Sequence, residues 1–151
     1  MPLTRKNGLT VNLESNDSEK KAKITVSGIL VTGSKKAAFF TQLEWVKRQF
    51  LNLLGFEPFP GTLNLMLSEQ DEQVMEEIRQ RPGIPLISPD ASFCQSRAYP
   101  VRIGTISGAV ILPEEKVRIH GQKIVEIMAP VSLRESLHLQ DGNRVDFVIE
   151  F

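Results

Sequence analysis

From Arg97 to its end the chain offers one strand pattern after another with little helix between them: Arg97 to Ile103, Thr105 to Leu112, Lys123 to Ala129 and Arg144 to Phe151. Parallel neighbours need long crossover connections, usually helical, so this succession argues against a doubly wound parallel sheet. The last segment alternates Val145, Phe147, Ile149 and Phe151 against polar neighbours, apart from Val148, which is the period of a strand with one face in a core. An earlier strand is expected over Ala22 to Val31, with Gly28 marking a bulge or a close backbone approach. With the alternating run after Gly61, about six strands result. The fold class is mainly β with helical insertions, a closed and mostly antiparallel barrel, because closure removes exposed strand edges.

The clearest helix follows Thr41, which can cap it. Glu44 sits at the capping-box position, Leu43, Val46, Phe50, Leu53 and Leu54 recur at helical spacing, and Gly55 supplies the stop. A second helix begins at Ser68, with Asp71 in its first turn and Val74, Met75 and Ile78 on one face, and ends before Pro82-Gly83. Gly33 to Lys36 reads as a loop. Arg81 to Ser96, with Pro82, Pro85 and Pro89, reads as a long irregular connection that either covers a ligand or is plain surface. Residues 1 to 21 are polar and read as a mobile tail, leaving 22 to 151 as one domain.

Composition narrows the function. With 151 residues, 41% hydrophobic and 24% charged, there is apolar material for one core. Lys plus Arg and Asp plus Glu both number 18, which removes the strong positive field of a nucleic-acid binder. No apolar run approaches the roughly 20 residues that span a bilayer, and the start lacks the apolar core of a signal peptide. The expectation is a cytoplasmic protein, monomer or small homo-oligomer, with neither nucleic acid nor membrane as partner. Cys94 is single, and His120 and His138 are too few and too separated for a histidine metal site.

Gly55-Phe-Glu-Pro-Phe-Pro-Gly-Thr-Leu-Asn64 is the stretch richest in chemistry. Two prolines hold the approach rigid and two glycines bracket it. Leu63, Leu65 and Leu67 then share one strand face, and Thr62 and Asn64 the other. A hydroxyl and an amide oxygen so placed can help hold a magnesium ion whose charge is met by bound phosphates, or they simply face solvent. Glu126 stands inside the apolar run Ile124 to Met128. Burial there demands a ligand donor or an internal partner such as Arg118, unless the strand is an exposed edge. Ser132 and Glu135 have capping-box spacing, so Val131, Ser132, Leu133 and Arg134 either bind an anion or a base edge or form a structural turn. Gly33, Ser34, Lys35 and Lys36, between strand and helix, are a natural phosphate loop, although neither Gly-x-x-x-x-Gly-Lys-Ser/Thr nor Gly-x-Gly-x-x-Gly occurs.

These blocks, with Gly108-Ala-Val-Ile-Leu-Pro113, Ile124-Val-Glu-Ile-Met-Ala-Pro130 and Leu133-Arg-Glu135 followed by Leu137, Leu139, Asp141 and Gly142, give a chain that resembles the archaeal-type CTP-dependent riboflavin kinases. The resemblance implies a six-stranded cradle-loop (RIFT-like) barrel and transfer of the γ-phosphate of CTP to riboflavin, giving FMN and CDP. It assigns Thr62 and Asn64 to magnesium, Glu126 to the flavin, Val131 to Arg134 to the cytosine, and Gly33 to the nucleotide loop. Lys35 and Ala37 stand where the family places two further glycines, and Arg118 where it places a threonine that meets the flavin. Those changes leave two other readings open: a barrel that binds a nucleotide or flavin without turnover, and a kinase with a different acceptor.

Overall fold

A computed structural model describes residues 4–6, 9–11, 23–33, 35–89, 95–113 and 123–151. Within the segment expected as a tail, β1 (Thr4–Lys6) and β2 (Leu9–Val11) pair as a small antiparallel hairpin. The main sheet has seven strands: β3 (Lys23–Val31), β4 (Leu63–Leu67), β5 (Ile84–Leu86), β6 (Ser96–Ile103), β7 (Ile106–Pro113), β8 (Ile124–Met128) and β9 (Arg144–Glu150). They are ordered β5-β6-β7-β8-β4-β3-β9, every pair antiparallel. A further pairing of β6 with β9, Val101 opposite Ile149 and Arg102 opposite Val148, links the last strand of that order back to the second. Six strands thus form the barrel-like ring anticipated above. β5 is the addition, hydrogen-bonded to the part of β6 that β9 leaves free.

The inward row of each strand is apolar. Ile24, Val26, Leu65, Tyr99, Val110, Ile127, Phe147 and Ile149 are all at most 1% exposed and form one cluster. Gly28 lets β3 and β4 approach: a Cβ there would lie 2.8 Å from Leu65 Cβ. The helix α3 (Glu69–Arg79) adds Met75 and Ile78 to this core, and the Ser68 hydroxyl caps it by accepting the Asp71 amide at 3.2 Å.

Part of the outward face carries a second core. Ala98, Ala109, Ile111 and Met128 on β6, β7 and β8 are covered by Val46 and Phe50 of α2 (Glu44–Leu54), with Leu86 at the margin. Here the sequence reading needs correction. Lys35 to Thr41 is a helix of its own, α1, instead of a loop followed by a cap. Thr41 is its last residue, and Leu43 is the N-cap of α2 with no side-chain bond. Leu53, expected on the apolar face, is 49% exposed. Gly55 does stop α2, in the left-handed region at φ 82° with its amide on the Phe50 and Leu51 carbonyls. The connection after Arg81 is less irregular than expected, since β5 lies in it.

Candidate functional site

β4 lies between β3 and β8, with Asn64 paired to Val31 on one side and to Glu126 on the other. The leucines of β4 point into the barrel, so Asn64 stands on the outer face. The turn residue Gly61, at φ 106°, delivers Thr62 to the same face just before the strand begins. Thr62 Oγ1 is 3.3 Å from Asn64 Oδ1 and 3.2 Å from Glu126 Oε1. The Asn64 amide nitrogen donates to the Thr62 carbonyl at 3.3 Å, which turns its oxygen toward the hydroxyl.

This arrangement is short of protons. Thr62 has one hydroxyl hydrogen, and both neighbours it faces are acceptor oxygens, one of an amide and one of a carboxyl group. Only one contact can be a hydrogen bond at any moment. The other is oxygen against oxygen, which a cation between them would relieve. Adjacent ligands of an octahedral magnesium at 2.0–2.1 Å lie about 3 Å apart, close to the spacings found here. The donor set fits a hard divalent cation that keeps open positions for phosphate and water. No group of three or more His, Cys, Asp and Glu that could hold a metal exists among the described residues.

Glu126 is exposed on the outer face of β8, a strand paired on both sides, so neither burial with a partner nor an edge position explains it. Arg118, the internal partner considered for it, lies outside the described residues. Among the described residues the exposed carboxylate meets Thr62.

Gly33, two residues past the end of β3, lies against this cluster. A Cβ on it would lie 1.9 Å from Asn64 Nδ2 and 2.9 Å from Asn64 Cγ, so the bare backbone at 33 forms one wall of the amide's pocket. Ser34 and the side chains of Lys35 and Lys36 lie outside the described residues. The backbone of Lys35 and Lys36 forms the first turn of α1.

The segment Val131 to Arg134 meets Thr62 across a cleft of about 220 Å³, whose wall continues through Phe59, Pro60 and Gly61. Its floor is Leu63, Ile127, Ala129 and Leu133. Ser132 caps the short helix α4 (Leu133–Ser136), accepting the Glu135 amide at 3.3 Å. Arg134 pairs with Asp141, at 2.7 Å, instead of with Glu135, and also donates to the Val31 carbonyl at 3.3 Å. Thr32 donates to the other carboxylate oxygen of Asp141. Thr32 first and Arg134 second hold the Asp141 carboxyl below its ordinary value of 3.8. The segment Val131 to Arg134 is thereby laced to the strand end that leads into Gly33.

Sequence reasoning singled out Thr62, Asn64, Glu126, Gly33 and Val131 to Arg134 separately, and all of them come together on this face. It missed three supports. Asp141 bonds both Arg134 and Thr32, and Phe59 lines the cleft at 44% exposure, where the sequence shows only a rigid approach. Thr41, expected as a cap, ends α1 and accepts the Gly61 amide. The bond from the Phe59 amide to the Ala129 carbonyl, 2.7 Å, joins residues seventy positions apart and leaves no local signal.

Comparison with known proteins identifies relatives of this chain. The chain is 35% identical over 130 residues to a protein named riboflavin kinase from Methanoregula boonei, covering 84% of this chain and 58% of that protein. Riboflavin kinases of Pyrobaculum arsenaticum and Thermococcus kodakarensis are each 37% identical over 131 residues, covering 83% and 85% of this chain and 60% of each of those proteins. The chain therefore spans less than two thirds of the length of these curated relatives. The family model CTP-dep_RFKase, described as domain of unknown function DUF120, matches residues 30–149, a span that contains every site residue above. This chain belongs to that CTP-dependent riboflavin kinase family.

Proposed function

We propose that the chain transfers the γ-phosphate of CTP to the ribityl 5′-hydroxyl of riboflavin, giving FMN and CDP, with Mg²⁺ as cofactor. The observation that carries the proposal is the proton-poor oxygen cluster of Thr62, Asn64 and Glu126 beside a cleft walled by Val131 to Arg134. The family and the names of the relatives support the donor and the acceptor.

In this reading Thr62 Oγ1 and Asn64 Oδ1 hold the cation, and Gly33 with the start of α1 lies along the phosphates. Val131 to Arg134 read the cytosine. A magnesium ion held by these two oxygens would supply positive charge against the phosphates and against the charge that grows on the leaving CDP. Glu126 accepts a hydrogen bond from the riboflavin hydroxyl and aims its oxygen at the γ-phosphorus. The new O–P bond forms as the bond from that phosphorus to the bridging oxygen breaks, and the hydroxyl proton passes to solvent. No residue is assigned as general base, because phosphoryl transfer through a loose transition state depends on positioning and charge.

The test is purified protein with riboflavin, CTP and Mg²⁺, scored for FMN and CDP by chromatography, with ATP, GTP and UTP as alternative donors. FMN formation that is lost in Thr62→Ala and Asn64→Ala is expected. No FMN, where an archaeal relative produces it under the same conditions, overturns the reading. One observation favours a second reading, a barrel that binds without turnover: α1 begins at Lys35 and includes Ala37, where the family's further glycines would stand. Ligand binding without CDP formation for any acceptor would select it.

A further inference from the structure

We propose that Thr41 is a positioning residue that holds the cation-binding alcohol Thr62 in place. The proposal rests on the reading just given. Thr41 is 0% exposed, yet its side chain carries a hydroxyl. That hydroxyl donates to the Ala38 carbonyl at 3.0 Å, one turn back in α1, and accepts the Gly61 amide at 2.8 Å. Gly61 is twenty residues away in sequence and in the left-handed region at φ 106°, immediately before Thr62. A glycine there has no side chain to seat it, so the Thr41 bond is the direct restraint on where the turn presents Thr62. A threonine inside a helix ordinarily spends its hydroxyl on the preceding turn. Here the second bond reaches across to the loop.

The placement gives α1 a role that its seven residues would not otherwise suggest. One end follows Gly33, whose bare backbone walls in Asn64; the other end carries Thr41, which anchors the turn before Thr62. Each cation donor is therefore supported from a different end of one short helix, and the Thr41 hydroxyl ties that helix to the Gly55–Gly61 loop. Loss of the hydroxyl frees Gly61 to rotate and lets Thr62 drift from Asn64. The fold keeps its two cores, since neither depends on this bond.

The experiment compares Thr41→Val, which keeps the shape and removes the hydroxyl, with Thr41→Ser, which keeps the hydroxyl. Mn²⁺ is titrated in the presence of CDP and followed by electron paramagnetic resonance, and the Mg²⁺ dependence of FMN formation is measured in parallel. Losing one buried hydrogen bond to the turn is expected to weaken the metal constant about 5- to 10-fold in Thr41→Val, with Thr41→Ser near wild type and the riboflavin KM within about 2-fold. Equal metal constants in wild type and Thr41→Val overturn the proposal, whatever the change in melting temperature. If Thr41→Val does not fold, Thr41→Cys, of similar size with a weaker hydrogen-bonding group, is read the same way. Failure of wild type to form FMN counts against the kinase reading alone, because the Mn²⁺ titration still decides the role of Thr41.

Discussion

Replacing Gly33 with alanine tests the site most directly, because one methyl group meets one atom of the proposed chemistry. The added Cβ would lie 1.9 Å from Asn64 Nδ2, while ordinary contact begins at 3.4 Å, so the amide must retreat by about 1.5 Å. Asn64 is only 5% exposed, between β3 and β8, and has nowhere to go except by rotating its side chain. Rotation breaks the 3.3 Å bond to the Thr62 carbonyl and turns Oδ1 away from the hydroxyl. The stability loss is about one hydrogen bond, ~1 kcal/mol, or a fall of roughly 2–4 °C in melting temperature for a chain of this size. The loss in catalysis is larger. Displacing a positioning group by about 1 Å costs on the order of 100-fold, near 2.7 kcal/mol in the barrier.

Gly33→Ala is therefore expected to melt close to wild type and to form FMN about 100-fold more slowly at fixed Mg²⁺, with part of the loss recovered at high Mg²⁺. Gly108→Ala is the control. There the Cβ would meet the Met128 carbonyl oxygen at 2.5 Å, a backbone atom within the β7–β8 pairing that cannot swing aside, so stability falls first. The assays are initial rates of FMN formation across a Mg²⁺ series and thermal unfolding by circular dichroism. Wild-type kcat/KM and Mg²⁺ dependence in Gly33→Ala would refute the reasoning, because the amide could not then be both displaced and essential.

Two further outcomes follow from the packing and the charges. Asp141→Asn is expected to lower the melting temperature at pH 7 and to lose that difference at low pH: a carboxyl held below 3.8 in the folded chain contributes fully above that value and less as pH falls through its lowered folded value. Melting curves of the two proteins from pH 7 to pH 3 check this, and a gap that persists unchanged at the acid end would contradict it. Phe147→Ala empties a fully buried position in the ring and is expected to cost about 3–5 kcal/mol, measured by denaturant unfolding; a cost below about 1 kcal/mol would mean that Phe147 is not packed as described.

Much of the fold was legible because its strands alternate where one face is buried. β9 reads directly from Val145, Phe147 and Ile149, and β8 from an apolar run that is covered on both faces at Met128. β5 was not legible, since Ile84-Pro85-Leu86 is three residues long with a proline at its centre. It exists because an edge strand tolerates a proline whose missing amide faces outward. α1 was hidden for a different reason. Lys35 to Thr41 is too short to display a helical period, and it is held at one end by a contact with Gly61 that has no counterpart in the local sequence. The site shows the same division. Residue types and the turn around Gly61 pointed to Thr62 and Asn64, but the pairing that sets Asn64 against Glu126 is a matter of strand order, and strand order is decided by the whole ring.

The location of the site follows from how the two cores divide the barrel. Its interior is filled by side chains as large as Tyr99, Phe147 and Leu65, each at most 1% exposed, so no ligand of nucleotide size has room inside. A ligand of that size would have to use the outer face. Half of that face is closed: Ala98 and Ala109 are small enough for α2 to settle on β6 and β7, and Phe50 and Met128 seal the contact. The other half is open, with Ile29, Met66 and Ile124, paired in register across β3, β4 and β8, each 38–41% exposed. Thr62, Asn64 and Glu126 stand along the seam. On the covered side the groups would lose contact with water and phosphate, and on the bare side nothing would restrict their rotamers. At the seam, Gly33 and the Thr41–Gly61 bond restrain the donors while the carboxylate stays accessible, and a charged ligand can reach them without unfolding either core.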